Sequence, residues 1–92
     1  MTDPVVEQFR EKITDVDCAL IELVNKRLKL VAQLWRYKEE HGVALHDPAR
    51  EDWMLSYLTR ANRGPLSPEG LAELYALVLG LTKRQAAEPV EA

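Results

Sequence analysis

The stretch FREKITDVDCALIELVNKRLKLVAQLWRYK, residues 9–38, decides the fold. Neither Pro nor Gly interrupts it, and its apolar residues recur at the i, i+3, i+4, i+7 spacing of a helix with one buried face. At about 100° per residue and with Arg27 set at zero, Phe9, Ile13, Val16, Leu20, Val31 and Leu34 all fall within about 40° of it. So does Lys38. Charged side chains ordinarily take the opposite face of such a helix, yet two cations occupy the middle of the stripe that should be covered. A cation held away from water without a counter-charge costs several kcal/mol. Something anionic therefore belongs opposite Arg27 and Lys38, supplied by the protein or by a ligand.

Outward from this stretch, Asp3 or Thr2 reads as an N-cap, with Pro4 in the first turn where its missing N–H costs nothing. No Pro or Gly then follows until Gly42, so the first helix is expected over about residues 4–40, roughly 54 Å long. His41-Gly42 ends it, Gly42 taking the left-handed position past the cap. Asp47-Pro48 is a second cap and first-turn pair, opening a helix over about 48–62 with Trp53, Met54, Tyr57, Leu58 and Ala61 on its apolar face. Arg63-Gly64-Pro65-Leu66 is a turn, and Ser67-Pro68-Glu69 repeats the cap pattern. The third helix is expected over about 68–86, with Leu71, Leu74, Tyr75, Val78 and Leu81 forming a stripe that runs on into Thr82 and Gln85. Residues 87–92 are expected to be a frayed tail. The pattern is all-α, a single domain over residues 1–92. The two later helices are each less than about two-thirds as long as the first and cannot cover it. An exposed apolar stripe marks a partner surface, and a two-fold homodimer is the commonest solution.

Composition narrows the classes of function. A chain of 92 residues makes one small domain, which alone buries only about 60–65% of its unfolded surface. Twelve Lys and Arg against fifteen Asp and Glu give a net charge of −3, so no global basic field points to nucleic acid or an anionic membrane. Any anion site must be local. The single cysteine, Cys18, excludes an internal disulfide framework. With no basic leader pattern and no long apolar run, the expectation is a cytoplasmic protein. His41, His46 and Asp47 lack the spacing of a helical metal pair, and no Gly-rich phosphate loop is present, so neither a metal nor a cofactor is expected. Cys18 has no adjacent cation and reads as an inert thiol.

Each of the three helices carries polar groups where its stripe calls for apolar ones: Arg27 and Lys38, then Arg50 with Glu51, then Thr82 and Gln85. Arg10 falls near +100° on the wheel, at the flank of the first stripe, placed to reach across a helix–helix seam. With Asp47 added, these make four cations and two carboxylates, a formal charge of +2 that a dianionic small molecule would neutralise. Arg is the side chain that grips carboxylates with two hydrogen bonds. Each group also has a plainer reading. Arg10 has Glu7 and Glu11 as helical neighbours, Arg27 and Lys38 can bury their stems and send their heads to water, Arg50 with Glu51 can be a solvated pair, and Asp47 is explained as a cap. Thr82 and Gln85 can simply end the amphipathic region. All of them at once on core faces favours a pocket.

The run Phe9-Arg10-Glu11-Lys12-Ile13-Thr14-Asp15-Val16-Asp17, followed by Leu20, Leu23, Arg27, Lys38 and His46-Asp47-Pro48-Ala49-Arg50-Glu51, resembles the all-helical (AroQ-class) chorismate mutases from Phe9 to Leu58 without a gap. The resemblance implies an intertwined homodimer of three-helix subunits, each active site being completed by an arginine of the other chain. It implies that Arg10 is that arginine, that Arg27 grips a substrate carboxylate within its own subunit, and that Lys38 donates to the ether oxygen as the C–O bond breaks. Arg50 would support the carboxylate network, Asp47 and Glu51 would approach the ring hydroxyl, and Thr82 would stand where the family often has Ser. The implied reaction, chorismate to prephenate, is an intramolecular Claisen rearrangement that needs no nucleophile, metal or cofactor.

One position departs from the pattern. The family commonly places a Gln or Glu four residues beyond that Ser as the second partner of the ether oxygen, where this chain has Ala86; Gln85 comes one residue early and is the candidate to replace it. Such a chain can be weak alone and activated by docking on a pathway enzyme such as 3-deoxy-arabino-heptulosonate-7-phosphate synthase. Three other readings stay open: an isochorismate-pyruvate lyase, which tends to lack the acid that Glu51 supplies; a 4-amino-4-deoxychorismate mutase; and a non-catalytic helical dimer that regulates a partner enzyme.

Overall fold

A computed structural model describes residues 3–86. They form three helices, α1 (Pro4–Glu40), α2 (Pro48–Ala61) and α3 (Pro68–Gln85), with no strand among the described residues. Each helix opens the same way. Asp3 accepts from the backbone N–H groups of Val5 and Val6, Asp47 from that of Arg50, and Ser67 from that of Gly70, each with a Pro at the helix start. The side-chain oxygen satisfies amide protons that have no partner within the helix, worth about 1 kcal/mol for each cap. At the far end of α1 the backbone turns through Gly42 at φ +67°, the left-handed region that a Cβ disfavours. The tail expected over 87–92 lies outside the described residues.

α3 packs against both α1 and α2 and is what joins them. It carries the two side chains that are buried outright among the described residues, Leu71 at 8% exposure and Thr82 at 5%. The described residues measure 16 Å in their thinnest direction, no more than two helices deep, since packed helix axes stand about 8–10 Å apart. There is no room in such a slab for an enclosed interior.

The C-terminal half of α1, where Val24, Arg27, Leu28, Val31, Trp35 and Lys38 are half-buried, lies along α3. The N-terminal half projects beyond it. Phe9, Ile13, Val16, Leu20 and Leu23 are exposed, Val16 to 66%. A continuous apolar stripe of this length is not stable facing water, and burying it recovers about 25 cal/mol for every Å² covered. No described helix is long and apolar enough to cross a membrane.

Candidate active site

A hollow of about 230 Å³ opens where the C-terminal half of α1, the loop before α2, the first turns of α2 and the end of α3 meet. Val31, Leu34, Met54 and Leu79 form its apolar wall, and Tyr75 and Trp35 also line it. Trp35 is half-buried and stands edge-on to the His46 ring, centroids 5.9 Å apart. The volume is below that of a drug-sized pocket and suits a single-ring ligand.

The polar lining comes from all three helices. α1 places Arg27 and Lys38 eleven residues apart, three turns along one face, so both line the hollow. Arg27 donates through Nη1 to Thr82 Oγ1 of α3. The Thr82 hydroxyl in turn donates to the Val78 carbonyl at 2.7 Å, so its one proton is in use and its oxygen accepts from the guanidinium. Thr82 thereby fixes Arg27, which keeps four further N–H donors for a ligand. Lys38 Nζ lies 3.4 Å from the Leu45 carbonyl oxygen, a long bond that tethers the ammonium to the loop without saturating it.

α2 contributes through its first turn. Asp47 is engaged as the helix cap, accepting from the Arg50 backbone N–H at 3.0 Å. The Arg50 guanidinium lies over the Trp53 ring, 4.5 Å from its centroid, a cation–π contact that uses none of its N–H donors. Glu51 is half-buried and pairs with Lys83 of α3, Nζ to Oε1 3.2 Å. Four cations, Arg27, Lys38, Arg50 and Lys83, thus line the hollow with two carboxylates, Asp47 and Glu51, a formal charge of +2.

Two of the sequence candidates are elsewhere. Arg10 is exposed and bridges to Glu7 at 2.9 Å on the projecting half of α1. It stands 17 residues before Arg27, about 25 Å along the axis, so its own chain's hollow is out of reach. Gln85 is exposed and does not line the hollow, standing one residue before the half-buried Ala86. Lys83, Leu45 and His46 also line the hollow, and none of them stands on a helical stripe that marks it. Lys83 adjoins Thr82 in sequence, but its partner depends on how α2 and α3 cross, which periodicity does not give.

A three-helix chain with a hollow of formal charge +2, fit for a small anion, defines a class, and similarity to known proteins narrows it to a family. The sequence pattern described as Chorismate mutase type II matches residues 9–87, and the chain belongs to that family. The structure resembles chorismate mutase from Thermus thermophilus in two solved forms. One gives a TM-score of 0.86 at 27% identity over 94% of this chain and 98% of that one; the other gives 0.81 at 30% identity over 84% and 96%. In sequence, a bifunctional chorismate mutase/prephenate dehydratase of Pseudomonas aeruginosa is 28% identical over 79 residues, 80% of this chain and 22% of that protein. A T-protein of Haemophilus influenzae is 40% identical over 50 residues, 54% of this chain and 13% of that protein. This chain therefore spans about a fifth or less of the curated relatives it matches.

Proposed function

We propose that the chain is an isomerase of aromatic amino acid biosynthesis, a chorismate mutase converting chorismate to prephenate as a cytoplasmic homodimer. The observation that carries this reading is the convergence of Arg27, Lys38 and Arg50 on one hollow of net positive charge. The reaction is a rearrangement within one molecule: the ether C–O bond breaks as a C–C bond forms, and no group enters or leaves. Catalysis then consists of holding the dianion in its compact conformer and meeting the negative charge that grows on the ether oxygen. In this reading Arg27 and Arg50 hold the carboxylates and Lys38 faces the ether oxygen. Glu51 and Asp47 meet the ring hydroxyl, and Thr82 keeps Arg27 aimed.

Two features of α1 support the homodimer. Its N-terminal stripe from Phe9 to Leu23 is exposed, and Arg10 at the edge of that stripe is too far from its own hollow to serve it. A two-fold axis crossing the paired helices near Cys18 and Ala19, midway between Arg10 and Arg27, covers the stripes and brings each Arg10 to the other chain's Arg27.

The direct test is loss of chorismate absorbance with formation of prephenate on adding purified protein, alone and then with 3-deoxy-arabino-heptulosonate-7-phosphate synthase. Activity only in the mixture favours the partner-activated reading. Turnover of isochorismate to salicylate in place of chorismate overturns the mutase assignment. The half-buried Ala86 supplies a further check. It lies four residues beyond Thr82 and about 40° from it around the axis, whereas Gln85 is exposed. Ala86→Gln is expected to raise kcat about tenfold by adding a second donor at the ether oxygen. An unchanged kcat in that variant would mean that the second donor does not belong at residue 86.

A further inference from the structure

Lys83 belongs to none of the stripes that mark the other site residues, yet it lines the hollow. Among the described residues there are two ion pairs, and one of them joins Lys83 to Glu51 at 3.2 Å, side chains 46% and 30% exposed. Arg50, the neighbour in sequence that a solvated pair would use, lies over Trp53 instead. The cation that holds Glu51 therefore comes from a different helix. An ion pair this exposed contributes little to stability, so fastening α2 to α3 does not account for it.

We propose that Lys83 is a positioning residue that acts through Glu51; this rests on the mutase reading above. A Glu side chain has three rotatable bonds, and fixing it in one orientation carries an entropic cost. The Lys83 ammonium meets that cost before substrate arrives, by drawing Oε1 toward α3. Oε2 is then the acceptor for the substrate's ring hydroxyl, held in the register that the compact conformer requires. Lys83 touches the carboxylate and not the reacting atoms.

A double-mutant cycle on the intact protein separates this from the two ways Lys83 could act without Glu51, as a direct grip on the dianion or as added positive field. Steady-state kinetics on chorismate are compared for wild type, Lys83→Met, Lys83→Arg, Glu51→Gln and the Lys83→Met/Glu51→Gln double variant. Lys83→Met is expected to lower kcat/KM about tenfold in the wild-type background and less than about twofold in the Glu51→Gln background, because the coupled groups act as one. Lys83→Arg, which keeps a cation on Glu51, is expected to recover most of the loss. Equal losses in both backgrounds overturn the proposal and leave Lys83 acting without Glu51, by direct grip or by field. No loss on Lys83→Met also overturns it. A wild type without chorismate turnover takes down the mutase reading and this inference with it, whereas an active wild type with additive losses removes the inference alone. Thermal melting of each variant checks that the fold is intact, and the exposure of both side chains leads to melting points close to wild type.

Discussion

Lys38→Ala is expected to lower kcat for chorismate by about 10²–10³ while the fold survives, the loss typical of removing one donor from a developing oxyanion. Of the two α1 cations that line the hollow, Lys38 is the less engaged by the protein: its side-chain bond is the 3.4 Å contact to the Leu45 carbonyl. Losing a bond that long, at a half-buried position, costs no more than about 1 kcal/mol of stability. The helix end does not depend on the side chain either, since the backbone closes there through Val43 N–H to the Lys38 carbonyl at 2.8 Å. Activity and stability should therefore separate cleanly. If Lys38 meets charge that appears only in the transition state, kcat falls and KM moves little. If it merely adds to the field that attracts the dianion, KM rises and kcat holds. Turnover within about threefold of wild type in Lys38→Ala would remove Lys38 from the step in which the C–O bond breaks.

That Arg27 and Lys38 share a face is legible without coordinates, because eleven residues are three turns of any straight helix. The helix starts are legible too, because the Asp-Pro and Ser-Pro pairs act on the backbone beside them and need no tertiary context. Other features depend on how helices cross, and periodicity carries no such information. The Lys83–Glu51 pair exists because α3 passes α2 near its first turn. The hydroxyl of Thr82 is engaged by Val78 and Arg27, a bond between α3 and α1 that the stripe of α3 alone does not announce. Gln85 shows how fine the distinction is: it stands one residue before Ala86 and about 100° from it around α3, enough to exchange a half-buried position for an exposed one. Arg10 is different again, since no reading of a single chain, in sequence or in space, brings it near the hollow.

Arg10 is where the dimer and the chemistry can be tested together. Arg10→Ala and Arg27→Ala homodimers are each expected to lose about 10²–10³ in kcat/KM, because every site in either one lacks a carboxylate grip. Unfolded together in equal amounts and refolded, they are expected to regain about a quarter of wild-type activity, since random pairing under two-fold symmetry makes half of the dimers mixed. In a mixed dimer the hollow of the Arg10→Ala chain keeps its own Arg27 and receives Arg10 from the Arg27→Ala chain, so one site of two is whole. The other site lacks both residues. Neither substitution threatens folding: Arg10 holds only an exposed pair with Glu7, and Thr82 keeps its bond to Val78 when Arg27 is gone. If Arg10 served its own chain's hollow, no mixed dimer would contain an intact site and refolding would restore nothing. If Arg10 were a surface residue paired with Glu7 and nothing more, the Arg10→Ala homodimer would be fully active before any mixing. Recovery to about a quarter therefore requires both that two chains associate and that the association carries an arginine across the axis into the neighbouring hollow.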